Sequence, residues 1–479
     1  MLFNSLEYLI FFPVVVALFF AIKTKYRWLL LLLASYYFYG AWNVNFLPLI
    51  WISTLVAYIS AIQIGRSETQ RGRRGWMLVS IVVSLGILFA FKYADFFSNS
   101  FTSALATTGV FIDWPTLDLL LPIGISFYTF QTLSYTIDVY RGQRGPERHL
   151  GIFALYVSFF PQLVAGPIER STQLLPQFRE AQRFEYDRVM SGLKQMLWGF
   201  FKKIVIADRV ALAVTQVYSN PGDYGGFAIV LATWLFAIQI YCDFSGYSDI
   251  AIGSARVMGF DLMENFHRPY FSKSIGEFWH RWHISLSTWF RDYVYIPLGG
   301  NKVGKWRHGI NIMIVFLLSG LWHGAAWTFF IWGALHGAYL LIGQYTAKPR
   351  SRLAEISGLS SAPKLQKFVK VAITFNLVSF AWIFFRANSL SDAVTLITRM
   401  FSGAATIGPA GWALIDAQIA FIAIIALFAY ELWERKRHVE PFSLTFKREP
   451  WRWVTYSIVF WAVLLVGKFG AQEFIYFAF

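Results

Sequence analysis

A single cysteine, Cys242, among 479 residues excludes an internal disulfide and a cysteine metal cluster. Charge is also scarce: 14% of the residues are Asp, Glu, Lys or Arg, against 56% hydrophobic, too apolar a balance for a soluble protein of this size. Acidic residues are the scarcer sign, 27 against 42 basic. In so apolar a chain this excess reads as basic cytoplasmic loops and attraction to anionic headgroups or an anionic substrate, not as nucleic-acid binding. Repeats, low-complexity tracts and a soluble domain are all missing, so residues 1–479 read as one integral-membrane domain.

What is present is a series of uncharged segments near the length that crosses a bilayer. They are Tyr8–Ile22, Trp28–Trp42, Phe46–Ile64, Trp76–Phe91, Leu119–Ile137, Gly151–Ile168, Phe227–Tyr241, Val371–Phe385, Ala417–Tyr430 and Trp453–Val466. The fold expected is an all-α polytopic membrane protein of about a dozen transmembrane, re-entrant and interfacial helices. Lys23, Lys25 and Arg27 follow the first span, and Arg66, Arg71, Arg73 and Arg74 the third, while the loop around Asn43 and Asn45 carries no cation. The positive-inside rule therefore places the N-terminus outside the cytoplasm. From the other end, basic loops at Lys348–Lys370 and Arg435–Arg448 place Ala471–Phe479 outside as well. The first span is no cleavable signal, because its cations follow the apolar run.

The longest uncharged stretch, Gly309 to Ala347, holds His323 and His336 as its ionisable groups near neutral pH. Its 39 residues would measure about 58 Å as one helix, twice a hydrocarbon core of about 30 Å. Lys302, Lys305 and Arg307 precede it and Lys348, Arg350 and Arg352 follow it. A pair of short helices turning near Gly320 to Ala326 fits, with His323 at the turn, deep in the membrane. An ionisable group at that depth points to chemistry, and irregular backbone there implies a cavity. A histidine hydrogen-bonded between packed helices is the structural alternative.

Polar residues interrupt the pattern between Glu264 and His308. Ser274 and Glu277 have capping-box spacing and mark a helix start, placing Phe278, Trp282, Leu286 and Trp289 on one face. The mixed aromatic and cationic residues suit a bilayer interface. His280 and His283 alone make a weak metal signal, without a third ligand at a convincing spacing, and no metal is expected. Other interruptions, Asp243, Ser245, Tyr247, Ser248 and Asp249, then Gln162, Glu169 and Arg170, and the strip Tyr128, Gln131, Ser134, Tyr135 and Asp138, fit a passage or interhelix hydrogen bonds equally.

Leu321-Trp322-His323-Gly324-Ala325-x-Trp327, with Trp332-Gly333-x-x-His336-Gly337, resembles the signature of the membrane-bound O-acyltransferase superfamily. Phe278-Trp279-x-x-Trp282-His283-Ile284-Ser285-Leu286-Ser287, Tyr295-Ile296-Pro297-Leu298-Gly299-Gly300, Asp243-Phe244-Ser245-Gly246-Tyr247-Ser248-Asp249, Leu121 to Phe127 and Phe384-Phe385-Arg386-Ala387 resemble its bacterial exopolysaccharide-acetylating branch, of which alginate O-acetyltransferase is a member. The resemblance implies a helical bundle around a membrane-embedded passage in the bacterial inner membrane. It gives His323 the catalytic position, His283 the second active-site position and His336 a further histidine of the branch. It also implies acetyl-CoA as donor, a polysaccharide acceptor and an extracytoplasmic acetyltransferase or polysaccharide-modifying partner.

On this reading a neutral imidazole at His323 acts as base, and His283 orients it or hydrogen-bonds the oxyanion. Arg268, Arg281, Arg291, Lys302 and Lys305, with Lys273 and Arg307, are the cations available to the donor's phosphates. The alternatives within the enzyme class are D-alanyl transfer to teichoic acid and acetylation of another envelope glycan. Outside it stand a transporter and an inert scaffold.

Overall fold

The computed structural model describes residues 1–112, 116–402, 414–437, 449–469 and 474–475. Helices dominate them, and the strand-like pairing present is an isolated bridge between Phe266 and Trp282. Five stretches are long and apolar enough to cross a membrane: Thr24–Arg66, Gln70–Ala106, Gly226–Met258, Pro363–Arg386 and Asp416–Glu434. Two shorter apolar helices, Leu6–Ala21 and Pro450–Val466, accompany them. The protein is a multi-pass, all-α membrane protein. The expected basic loop Arg435–Arg448 and the C-terminal Ala471–Phe479 fall largely outside the described residues.

The described residues cluster into two compact units, Met1–Met196 with Ser248–Met263, and Leu197–Tyr247 with Glu264–Phe479. The first unit contains α1 (Leu6–Ala21), α2 (Thr24–Asn43), α3 (Leu47–Arg66), α4 (Gln70–Leu88), α5 (Ala94–Ala106), α6 (Ile125–Tyr140), α7 (Leu150–Ser158), α8 (Ser171–Gln177) and most of α9 (Tyr186–Phe200). Small buried residues of α3 (Ser53, Ala57, Ser60 and Ala61) let neighbouring helices approach closely. Ser80 and Thr136 hydroxyls, 3.0 Å apart, tie α4 to α6. The polar strip on α6 serves such ties: Gln131 donates to the Tyr156 carbonyl at 2.7 Å, and the Tyr135 hydroxyl accepts from the Glu147 N–H at 2.8 Å. The expected span Gly151–Ile168 is corrected by α7, which has 9 residues and stops at Ser158. Pro161 and Pro167 cannot continue a helix, and Gln162 and Glu169 instead bond Tyr156 and Met263 backbone groups.

The second unit holds α10 (Asp208–Ser219), the first turns of α11 (Gly226–Met258), α12 (Ile275–Trp279), α13 (Ile284–Phe290), α14 (Lys305–His323), α15 (Trp327–Tyr345), α16 (Ala347–Ile356), α17 (Pro363–Arg386), α18 (Leu390–Met400), α19 (Leu414–Arg437) and α20 (Glu449–Val466). Its core is built on three fully buried tryptophans. Trp382 of α17 stacks on Trp332 of α15 with centroids 5.6 Å apart and meets Trp282 at 5.2 Å. Helix α11 does not end with the apolar run at Tyr241; it continues to Met258 because its acids find partners. Lys203 lies 2.6 Å from Asp243, and Gln195 donates to Asp249 at 3.1 Å. A π-helical turn, Phe201–Ala207, joins α9 to α10 and carries buried Lys202 and Lys203 inward. Those two charges are why this helix did not read as an apolar segment.

Candidate active site

Helices α14 and α15 form a hairpin whose turn, Gly324 to Ala326, lies where the sequence placed it. Each helix has 19 residues, about 28 Å, so they are nearly full membrane lengths and not the short pair expected. Their backbones touch at Gly320 and Gly333. A methyl group on Gly320 would sit 2.3 Å from the Phe329 carbonyl oxygen, and one on Gly333 would sit 2.3 Å from that of Phe316. This contact fixes His323, the last residue of α14, which is 2% exposed. Aromatic rings surround it: Trp322 at 4.9 Å, Trp332 at 5.0 Å and Phe385 at 5.3 Å between centroids.

The second predicted residue, His283, is fully buried and its ring lies 6.5 Å from that of His323. At this separation the closest ring nitrogens are about 4 Å apart or more, too far for a direct hydrogen bond but suited to one oxygen atom between them. The single helix expected from Ser274 onward breaks here. Ser274 does cap α12, accepting from the Glu277 N–H at 3.1 Å, but the chain turns at Arg281 to His283 before α13 begins. His283 takes φ +43°, the left-handed region that a non-glycine residue enters at a cost. The break turns His283 inward while His280 stays exposed, so the two do not face the same way.

Asn265, which sequence reading missed, holds this turn. Its backbone carbonyl accepts from the Ile284 N–H at 3.0 Å. Its side-chain oxygen accepts from His283 Nδ1 at 3.1 Å, Ser285 Oγ at 2.8 Å and the Ser285 N–H at 3.3 Å. An amide oxygen can only accept, so His283 carries its hydrogen on Nδ1 and its lone pair on Nε2. Asn265 and His283 are 18 residues apart on separate elements, and no spacing rule connects them.

His336 is buried but does not join the pair. Trp279 donates to its Nδ1 at 3.2 Å, and the Trp332 ring touches both His336, at 4.9 Å, and His323, at 5.0 Å. It supports the tryptophan against which His323 rests.

Two cavities flank this group. A basal cavity of about 300 Å³ begins among His308, Tyr295 and Gln344, beside the outer ends of α14 and α15, and reaches Ser319, one turn before His323. Trp279, His280, Arg291 and Phe316 also line it. A tip cavity of about 420 Å³ lies at the other end of the hairpin, among Ala326, Thr328, Phe329, Lys203, Asp208, Gln239, Asp243 and the Arg386–Asn388 end of α17. His323 lines neither cavity. Phe329, on the wall of the tip cavity, packs 5.0 Å from Phe385, which in turn packs on His323.

Of the five expected donor-binding cations, Arg291 lines the basal cavity while paired with Asp292 at 2.8 Å, and Lys302 and Lys305, the first residue of α14, are exposed. Arg281 is paired with Glu277 at 2.7 Å, and Arg268 lies 3.7 Å from Glu434. The structure therefore does not gather all five at one surface. Asp243 and Ser245 are bound by lysines, Ser245 accepting from Lys202 at 2.9 Å. Among the described residues no group of three His, Cys, Asp or Glu is arranged to hold a metal ion.

The model of the membrane-bound O-acyltransferase family matches residues 148–356, a stretch that includes His283, His323 and His336. The chain is 42% identical to the probable alginate O-acetylase AlgI of Pseudomonas aeruginosa, over 84% of this chain and 75% of that protein. The chain belongs to the membrane-bound O-acyltransferase family. Within this family it is also similar to the peptidoglycan O-acetyltransferase of Helicobacter pylori, at 35% identity over 77% of this chain and 73% of the relative. The teichoic acid D-alanyltransferase of Streptococcus thermophilus is 29% identical, over 60% of this chain and 75% of the relative.

Proposed function

We propose that this acyltransferase moves acetyl groups from cytoplasmic acetyl-CoA through the bacterial inner membrane to hydroxyls of an exopolysaccharide such as alginate. The observation that carries the reading is the His283–His323 pair, set at a hairpin turn between two cavities that approach from opposite ends of the hairpin. Basic residues Lys302, Lys305, Arg307 and Lys348 flank the basal end, which the positive-inside rule assigns to the cytoplasm. The donor's thioester arm enters the basal cavity, and Arg291, Lys302 and Lys305 attract its phosphates. Arg281, Arg268 and Arg291 are each paired with a carboxylate, Glu277, Glu434 and Asp292, so the exposed Lys302 and Lys305 carry most of this attraction. The termini, by the same rule, are extracytoplasmic. On that side an acetyltransferase or polysaccharide-modifying partner presents the polymer.

His323 takes the proton of the acceptor hydroxyl as its oxygen attacks the thioester carbonyl carbon. The carbon–sulfur bond breaks, and the departing thiolate recovers that proton from the imidazolium. Such base catalysis contributes on the order of 10²–10⁴-fold. His283, with its lone pair on Nε2, cannot donate to an oxyanion. Its lone pair instead favours the positive charge that forms on the His323 ring, 6.5 Å away between centroids.

The test is acetyl transfer from radiolabelled acetyl-CoA by purified, reconstituted protein. His323→Ala, inserted at normal levels, is expected to lose 10²–10⁴-fold in rate. Full activity in that variant refutes the role of His323. A failure to consume acetyl-CoA, combined with consumption of a carrier-protein thioester, favours D-alanyl transfer instead. Substrate uptake into vesicles without thioester consumption favours a transporter.

A further inference from the structure

His283 takes φ +43°, and a non-glycine residue stays in that region only when its surroundings over-determine it. Asn265 holds one edge of the imidazole through Nδ1. A single hydrogen bond fixes an atom, however, and not the plane of the ring. That plane is met by a phenylalanine of α11: Phe244 stands edge-on to the imidazole, with centroids 4.7 Å apart and planes at 90°. Phe244 also packs on Phe266, the chain neighbour of Asn265, at 4.9 Å. It therefore supports both halves of the Asn265–His283 contact.

Phe244 is in turn held by a segment far along the chain. After α20 the chain is pinned at Lys468, whose N–H donates to the Ile204 carbonyl at 3.0 Å and whose ammonium lies 3.3 Å from Asp416. At Phe474 and Ile475 it lies against α11. The Ile475 N–H donates to Asp243 at 2.7 Å, across 232 residues of sequence. The Phe474 ring packs on Phe244 at 5.6 Å and on Tyr247 at 4.6 Å. Phe244 and Tyr247 are three apart and share a helix face, so one ring covers both. Two consecutive residues of the segment thus grip two consecutive residues of the helix, Asp243 and Phe244, which sets their register.

The result is a path of three rings, Phe474, Phe244 and His283, with successive centroids 5.6 Å and 4.7 Å apart. Phe474 is 2% exposed and Phe244 fully buried, and close-packed interiors have few voids to absorb a shift. Phe474 lines the tip cavity and Phe244 does not, so loss of the Phe474 side chain opens space beside Phe244.

We propose that Phe474 is a positioning residue for His283: by packing on Phe244 it sets the plane of the imidazole, and so the direction of the Nε2 lone pair, while Ile475 holds it in place through Asp243. This rests on the role given to His283 above, and it brings the segment after α20 into the reaction without contact to the reacting atoms.

The experiment measures thioester consumption by reconstituted protein carrying Phe474→Ala, Phe474→Leu or Ile475→Pro, each made also in a His283→Ala background. Phe474→Ala should lower kcat about tenfold, with the KM for acetyl-CoA within about twofold of native, since the basal cavity does not include Phe474. Phe474→Leu keeps most of the bulk and should recover most of kcat. Ile475→Pro, which deletes the N–H that Asp243 accepts, should lower kcat by a smaller factor. In the His283→Ala background Phe474→Ala should cause no further loss, because no imidazole remains to be misplaced. A full additional loss there, or native kcat in Phe474→Ala alone, overturns the proposal. If the native protein consumes no acetyl-CoA, the acetyl-transfer reading fails by itself, and nitrogen NMR of histidine-labelled protein still decides the positioning. The His283 signal, identified by its loss in His283→Ala, should shift in Phe474→Ala and return toward native in Phe474→Leu. An unmoved signal overturns it.

Discussion

Replacing Asn265 by leucine should separate the support of His283 from the chemistry at His323. The substitution keeps the volume near that of the amide and deletes one oxygen that accepts from His283 Nδ1, Ser285 Oγ and the Ser285 N–H. The Ile284 N–H is unaffected, because it bonds to the Asn265 backbone carbonyl. Each buried donor left unmet costs about 1–3 kcal/mol. The Ser285 hydroxyl can rotate and its N–H contact at 3.3 Å is long, so one full donor and part of a second are lost, about 2–4 kcal/mol in stability. The imidazole is then free to change tautomer and rotate, and displacement of a reacting group by about 1 Å costs roughly 10²-fold. The expectation is a kcat lower by about 10–100-fold, with little change in the KM for acetyl-CoA, read by thioester consumption alongside a thermal unfolding curve. Asn265→Asp, which keeps an accepting oxygen, should recover most of both losses. Nitrogen NMR of histidine-labelled protein should show the His283 tautomer change in the leucine variant and persist in the aspartate one. Wild-type kcat and stability in Asn265→Leu would refute the reasoning.

Four other outcomes follow from the same structure. His283→Gly should be about 1 kcal/mol more stable than His283→Ala by chemical denaturation, since φ +43° suits glycine alone, while both lose activity. Gly320→Val should push α14 from α15 at the 2.3 Å contact, costing about 1–3 kcal/mol and most of the activity; an unaltered melting curve would count against that packing. Lys203→Met, leaving Asp208 and Asp243 unpaired, should destabilise by about 3–5 kcal/mol, measured by loss of folded protein on fluorescence-detected gel filtration. With Cys242 buried, a cysteine placed at Asn45 should react with a membrane-impermeant maleimide added to intact cells, and one at Lys25 should stay closed; the reverse pattern would overturn an N-terminus outside the cytoplasm.

Much of the scaffold was legible in the chain. Apolar runs marked α1 to α4, α17, α19 and α20 because a helix facing lipid must be apolar along its whole length. The hairpin turn and His323 were legible because 39 uncharged residues with basic ends cannot cross once and stop. The support of the candidate site was not. Asn265 reaches His283 through a turn in the left-handed region, and no local pattern encodes a break between Trp279 and Ile284 inside an otherwise sound capping box. Charges misled wherever pairing hid them: Lys203 broke the apolar pattern of a buried helix, and Arg268 and Arg281 counted as available cations although Glu434 and Glu277 hold them. Prolines gave the right punctuation after Ser158, but the apolar residues beside them read as a continuing span.

The aromatic layer formed by Phe329, Phe385 and Trp332 beside His323 has a bearing on the cell's energetics. The basal and tip cavities share no lining residue, and between them the rings pack edge to face around the imidazole. A layer of aromatic rings offers an ion few polar groups to replace its hydration shell, and so would bar protons and sodium ions from passing between the cavities. With such a plug, a membrane could carry many copies of the protein and still hold an ion gradient.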